Sequence, residues 1–232
     1  ITVHWCHSMA NPCGDRDWTT YYDAVAGKPP RDTLILALDE WEKDPDRAER
    51  TRDHLAIDLG AGEGRDTREL LRRGFRVVAV DPHPDSARRI HESISGDDAD
   101  RVRVVGTAIE GFASAAGQSG PFDIVNASFS LPFVHPSNFA FVWSWIRLVL
   151  APGGYFAGQF FGPKDSWASI PGRSHFAREQ VEEMLDGLFQ VQFEESEKDG
   201  QDAEGNAKHW HVFHVVARKP DGEGRHVLGA AC

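Results

Sequence analysis

The sequence has 232 residues, 41% of them hydrophobic and 26% charged, which is enough chain to bury one large core. A formal net charge of −11 argues against a nucleic-acid partner, because clustered Lys and Arg supply most of the affinity for a phosphate backbone. Cys6, Cys13 and Cys232 do not read as a disulfide framework, no apolar run approaches the roughly 20 residues of a membrane helix, and the opening residues lack a signal peptide's charged and apolar regions; a soluble, cytoplasmic protein without a membrane partner is expected.

Residues 1–30 read as an N-terminal segment whose aromatic group Trp18, Tyr21 and Tyr22 serves either as core or as a lid that excludes water. Leu34, Ile35, Leu38 and Trp41 then recur at helical spacing behind Pro29-Pro30, with Asp32 or Thr33 as N-cap, and predict a helix over 32–41. Beyond it, β-type runs at 54–59, 76–80, 102–106, 122–127 and 155–160 alternate with helix-like stretches at 67–73, 84–93 and 137–150. That alternation implies right-handed crossovers and a parallel sheet covered on both faces. A further helix at 177–185 precedes strand-like segments 189–195 and 209–217, which read as a hairpin closing one edge. Segments 95–100 and 198–202 and the tail 220–232 read as loops or loose ends.

In an open parallel sheet, ligands bind at the carboxyl ends of the strands, and the first strand-to-helix turn is the usual contact. Here that turn is Gly60-Ala61-Gly62-Glu63-Gly64-Arg65, whose alternate glycines let the backbone bend sharply and approach a ligand. A dinucleotide site would place its third glycine where this chain has Arg65, so the spacing points away from NAD. Asp81 ends the next run, Val77-Val78-Ala79-Val80-Asp81-Pro82, where a carboxylate can accept from both hydroxyls of a ribose while Pro82 keeps it extended. Together they point to a nucleoside ligand.

The stretch Ala56-Ile57-Asp58-Leu59-Gly60-Ala61-Gly62-Glu63-Gly64, followed by Val80-Asp81, resembles the class I S-adenosylmethionine-dependent methyltransferases. The likeness runs over about 54–219 and includes Phe122-Asp123-Ile124-Val125-Asn126-Ala127 and Leu150-Ala151-Pro152-Gly153-Gly154-Tyr155-Phe156. It implies a Rossmann-like, doubly wound, seven-stranded sheet with an antiparallel last strand, a domain over 31–219, and S-adenosylmethionine as cofactor. Trp18-Thr19-Thr20-Tyr21-Tyr22 and Pro29-Pro30-Arg31 are similar to small-molecule members of the tellurite-resistance type, which implies a small-molecule acceptor. The resemblance puts Asp58 and Gly60 near the methionine amino group, Ala61, Gly62 and Gly64 beneath the cofactor, Asp81 and Pro82 at the ribose, Ala108 and Ile109 at adenine, and Asn126 and Ala127 facing the methyl group.

A cation at a helix start is disfavoured, so Arg31 is either a solvated residue or the partner of a carboxylate such as the methionine end of the cofactor; Trp18 and Tyr22 are also cofactor-binding candidates. His135, after the fourth strand, is the candidate general base, needed only if the acceptor must lose a proton. On the last strand Trp210, Val212 and His214 share one face, and His209, His211 and Phe213 the other. His4, Cys6, His7 and Cys13 match no established zinc spacing, and no metal is expected. Fold does not fix function, so a non-catalytic, cofactor-binding regulatory protein is the alternative, and a nicotinamide-dependent reductase a more distant one.

Overall fold

Short apolar runs become strands here because they can be buried on both faces. The computed structural model describes residues 17–44, 53–115 and 120–222. Its strands are β1 (Leu55–Leu59), β2 (Arg76–Val80), β3 (Val102–Val105), β4 (Phe122–Ala127), β5 (Leu150–Phe161), β6 (Phe189–Gln201) and β7 (Ala207–Arg218). They form one seven-stranded sheet in the order β3-β2-β1-β4-β5-β7-β6. The first five pair in parallel, and β7 runs antiparallel to both its neighbours, β5 and β6. Every residue of β4 is buried, as a central strand with both faces covered requires.

The helices are α1 (Trp18–Val25), α2 (Asp32–Glu42), α3 (Arg65–Arg72), α4 (Pro84–Ser93), α5 (Ile109–Ala115), α6 (Pro136–Val149) and α7 (Arg178–Met184). On one face Leu34, Leu38 and Trp41 of α2 and Leu70 and Leu71 of α3 pack on Ala56, Ile124, Ala157 and Val216. On the other, Phe112, Phe139, Ile146 and Val181 cover Ile57, Val125, Phe156 and Phe213. The strand order reverses between β1 and β4, so the carboxyl ends of these two strands border the crevice where such folds bind ligands.

Three segments differ from the expectation. Trp18–Val25 and Ile109–Ala115 are helices; the first is set by a cap, with Asp17 Oδ1 accepting from Thr20 N at 3.1 Å, rather than by apolar periodicity. Residues 198–201 are not loop but the end of β6, where Lys198 and Asp199 pair opposite Trp210 and His209 and the His209 and Asp199 side chains meet at 2.7 Å. The bend itself is set by Asp202, which accepts from Glu204 N and Asn206 N, both at 2.9 Å. Segment 95–100 falls mostly in a short 3-10 turn, Gly96–Arg101. The tail beyond 222 and the His4, Cys6, His7 and Cys13 group lie outside the described residues. Among the described residues no helix is long and apolar enough to cross a membrane.

Phe213 is fully buried in β7, between the parallel part of the sheet and the edge strand β6. Phe213→Ala should cost about 3–5 kcal/mol of unfolding free energy in urea titration with an unchanged slope. A loss below roughly 1 kcal/mol would mean that the hairpin is not part of the cooperative core.

Candidate active site

At the end of β1 the chain must turn without side chains in the way. Gly60 N and Ala61 N both donate to Val80 O, at 2.8 and 3.0 Å, and so stitch the turn to the end of β2. A Cβ on Gly60 would lie 2.4 Å from Ser130 Cβ, and one on Gly64 2.7 Å from Ile90 Cγ1; both glycines have positive φ, so other residues are excluded by strain as well as by contact. Gly62 meets the ring of Tyr22, which would be 3.3 Å from its Cβ.

Asp58 and Asn126 face each other in the β1–β4 register and project to the α3 side. Asn126 Nδ2 donates to Asp58 Oδ1 at 2.8 Å and to Asp66 Oδ2 at 3.2 Å, while Thr67 Oγ1 donates to Asp58 Oδ2 at 2.6 Å. Arg31 N donates to Asp66 Oδ1 at 3.1 Å, tying the start of α2 to the same group. Burial, and after it the charge of Asp66, raises the Asp58 carboxyl to about 7, and the bonds from Thr67 and Asn126 only partly offset this. Two carboxylates under 10% exposed thus share one amide beside the glycine turn, a setting that favours an incoming cation.

Asp81 is held by three donors: Tyr22 Oη at 3.0 Å and His83 N at 2.9 Å on Oδ1, and Gly62 N at 2.9 Å on Oδ2. Burial pushes its carboxyl up and these bonds pull it down. Tyr22 is brought there by α1, which is clamped by Asp23 on Arg89 at 2.7 Å and by Trp18 against Phe133, ring centres 5.0 Å apart. Asp81 and Tyr22 are both buried under this helix.

Beyond Phe129, on the α2 side of the sheet, lies a cavity of about 690 Å³, the size of a site for a drug-sized ligand. Its walls include Trp18, Arg31, Phe129, Phe161, Trp210 and His214. Phe129 is the non-glycine residue with positive φ among the described residues, at 55°, a conformation that costs about 1–3 kcal/mol and is concentrated at functional sites. Its N–H donates to Gln159 Oε1 at 2.9 Å, and Gln159 Nε2 in turn donates to Thr33 Oγ1 at 2.9 Å. Burial pushes His214 below the usual imidazole value, so it is neutral near pH 7.

The residues singled out in the sequence fall into groups. Asp58, Gly60, Ala61, Gly62, Gly64, Asp81 and Asn126 meet at the ends of β1, β2 and β4, with Tyr22 and Arg31 drawn in by the bonds above. Trp18 and Arg31 line the cavity. Pro82 is exposed next to Asp81, Ala108 is half-buried after β3, and Ile109 and Ala127 belong to the core of the opposite face. His135 is not brought to the site: it is exposed and caps α6, its Nδ1 accepting from Ser137 N at 3.3 Å, and it is not among the cavity walls. Phe129, Gln159, Trp210 and His214 are the wall residues to which the motif reading gave no role. The face alternation on the last strand was the available signal for two of them.

Residues 56–154 match a methyltransferase domain family. No curated protein matches the chain. Among solved structures, TehB from Haemophilus influenzae is similar at 18% identity with a TM-score of 0.58, covering 75% of this chain and 60% of that one. The 1,6-didemethyltoxoflavin-N1-methyltransferase of Burkholderia thailandensis, with 1,6-didemethyltoxoflavin and S-adenosylhomocysteine bound, is similar at 23% identity and a TM-score of 0.55, over 88% of this chain and 85% of that one. N-methyltransferase NodS from Bradyrhizobium japonicum is similar at 17% identity and a TM-score of 0.57, over 82% of this chain and 93% of that one. This chain therefore spans about 60% of the length of the TehB structure, and at these identities the structures speak for the fold.

The architecture is a doubly wound α/β domain with its ligand end at β1, β2 and β4. The match at 56–154 runs from β1 into β5 and is to a methyltransferase domain, a type of domain whose methyl donor is S-adenosylmethionine. The donor set fits that molecule: Asp81 beside a glycine N–H suits a vicinal diol, and the Asp58–Asp66 pair suits an ammonium group.

Two outcomes follow from this geometry. A carboxyl raised in the folded state keeps a proton that the unfolded chain has lost, so Asp58 removes stability as pH rises from about 4 to about 7. Asp58→Asn should flatten the melting temperature over that interval by calorimetry while abolishing cofactor binding; a profile as steep as wild type would assign the titration elsewhere. A nucleoside at Asp81 must exchange the Tyr22 hydrogen bond, so Tyr22→Phe, which keeps the ring, should tighten S-adenosylhomocysteine binding by about tenfold in titration calorimetry. Weaker binding would make the hydroxyl a ligand.

Proposed function

We propose that this chain transfers the methyl group of S-adenosylmethionine to a small-molecule acceptor by in-line displacement, within a domain spanning 31–219, with 1–30 as a covering segment and 220–232 as a tail. The reading is carried by one observation: the glycine turn with its two carboxylate groups abuts, through Arg31 and Phe129, a cavity of about 690 Å³ walled by both aromatic and polar side chains. Bound S-adenosylmethionine supplies a sulfonium-activated methyl group. Asp58 holds its amino end, Gly60, Ala61, Gly62 and Gly64 admit it to the backbone, Asp81 and Pro82 take the ribose, and Ala108 and Ile109 flank adenine. Arg31 meets the carboxylate end, Asn126 and Ala127 border the reacting atoms, and Trp18 and Tyr22 close over them. Alignment and water exclusion of this kind can contribute about 7–11 kcal/mol.

A small acceptor accords with a cavity of this size, and the net charge of −11 disfavours nucleic acid. A cytoplasmic setting accords with three scattered cysteines. Where the acceptor must lose a proton, His214 stands in the cavity wall and His135 does not.

The test is turnover of S-adenosylmethionine to S-adenosylhomocysteine with a panel of small acceptors. Wild type should bind the cofactor and convert it. Asp81→Ala removes hydrogen bonds to a charged acceptor and should weaken binding by about 3 kcal/mol, roughly a hundredfold. Near-wild-type binding by that variant would refute the ribose assignment, and binding without turnover on any acceptor would favour the regulatory alternative.

A further inference from the structure

The rings that wall the cavity are already faced by the protein's own cations. Arg31 Cζ lies 4.3 Å from the Phe129 ring centre, and Arg173 Cζ lies 4.1 Å from that of Phe133. Lys208 is buried in an ion pair with Asp165, and its Nζ stands 3.8 Å from the Trp167 ring centre, 4.3 Å from Trp210 and 5.3 Å from Phe161. A ring holds a cation through its negative face. Where that face is already taken by Arg31 or Lys208, an incoming cation cannot approach it. These walls therefore do not make an ammonium cage. Phe129, Phe161 and Trp210 meet edge to face, at 65°, 85° and 80° to one another, so a flat ligand can stack on one ring while the others border its edge.

The polar side of the cavity supplies a donor and an acceptor beside the rings. Arg31 Nε is buried and, among the described residues, has no hydrogen-bond partner, so a donor is left over next to the rings. His214 Nε2 is 3.2 Å from Ser196 Oγ; with the hydroxyl accepting there, the Nδ1 lone pair stays free to take a proton. Glu194, Ser196 and Lys198 of β6 and Asp32 of α2 also border the cavity.

We propose that the acceptor is a planar aromatic or heteroaromatic molecule without positive charge, bearing an O–H or ring N–H nucleophile, stacked on the Trp210 ring and bordered by Phe129 and Phe161, with its polar edge toward Arg31 and His214. This rests on the methyltransferase reading of the same site. In the transfer, the acceptor's oxygen or nitrogen lone pair forms the bond to the methyl carbon as the sulfur–carbon bond breaks, its electron pair remaining on sulfur. The acceptor's proton passes to His214 and from there to water.

The test uses the full chain and probes of similar size but different charge and planarity: 2-naphthol, decahydro-2-naphthol and N-methylquinolinium. Binding is read by quenching of intrinsic tryptophan fluorescence and by calorimetry, with S-adenosylhomocysteine titrated into the same sample. The flat neutral probe should bind at least about tenfold more tightly than the saturated or the cationic one. Trp210→Leu should erase most of that preference and Trp210→Phe keep it, with thermal melts confirming that both are folded. Equal or tighter binding of N-methylquinolinium, or no preference for 2-naphthol over its saturated analogue, overturns the proposal. If S-adenosylhomocysteine fails to bind while the 2-naphthol preference holds, the methyltransferase reading fails and the ligand class stands; if it binds and the preference is absent, the reverse is true.

Discussion

Everything at the ligand end of this domain depends on a buried amide shared between two carboxylates. Asn126 on β4 reaches both Asp58 on β1 and Asp66 on α3, and Arg31, before α2, closes the group through its backbone N–H. Such an arrangement is costly, because neither carboxylate is solvated and their mutual repulsion is only partly relieved by Thr67, by Asn126 and by Arg65, whose Nε lies 3.4 Å from Asp66 Oδ1. Its position at the carboxyl ends of two central strands marks a place where stability is given up for binding. A cationic ligand that repels neither group relieves the cost, so ligand binding and local stability are coupled at one amide.

The same junction fixes the geometry around it. With β1 and β4 held in register by Asp58 and Asn126, the glycine turn can only leave toward β2, where Val80 O captures Gly60 N and Ala61 N. That places Gly62 N against Asp81, and Asp81 becomes the point at which α1 docks through Tyr22. The covering helix therefore takes hold at the same carboxylate proposed for the ribose. Opening of α1 and entry of a nucleoside are on this account a single exchange of hydrogen bonds at Asp81, and Asp23 on Arg89, an exposed pair worth little, is a weak second latch.

How much of this could be read from the chain alone follows from the range of the interactions. The β-type runs from 54 to 127, the glycine turn and Asp81 are local patterns, and the sheet order and antiparallel last strand agree with the fold that the resemblance implied. Helix α1 escaped because its eight residues are nucleated by Asp17 rather than by an apolar stripe. Residues 198–201 were taken for loop because they are polar, yet they sit in a strand whose solvent side is satisfied by cross-strand pairs such as Asp199 with His209. His135 had the right chemistry and place in sequence, but it stands exposed at the start of α6, with its Nδ1 capping that helix, and does not line the cavity. The cavity escaped almost wholly: Gln159 bonds to Thr33, 126 positions earlier, a contact that no local pattern encodes.

That division has a physical consequence for what the two halves of the site can do. The donor half is built of backbone turns and short-range carboxylates, where a Cβ on Gly60 or Gly64 has nowhere to go. The cavity half is one face of β7 and the ends of β5 and α2, and β7 separates its duties by alternation: Phe213 and Val215 face the core under α5–α7, while Trp210, Val212 and His214 face the cavity. Side chains on the second face can change with little effect on the first, because a strand's successive residues answer to opposite layers. The cavity face of the last hairpin is thereby uncoupled from the core, and on the proposed reading one scaffold of this kind can serve different acceptors through changes on that face, while Arg31 keeps the cavity tied to the donor half.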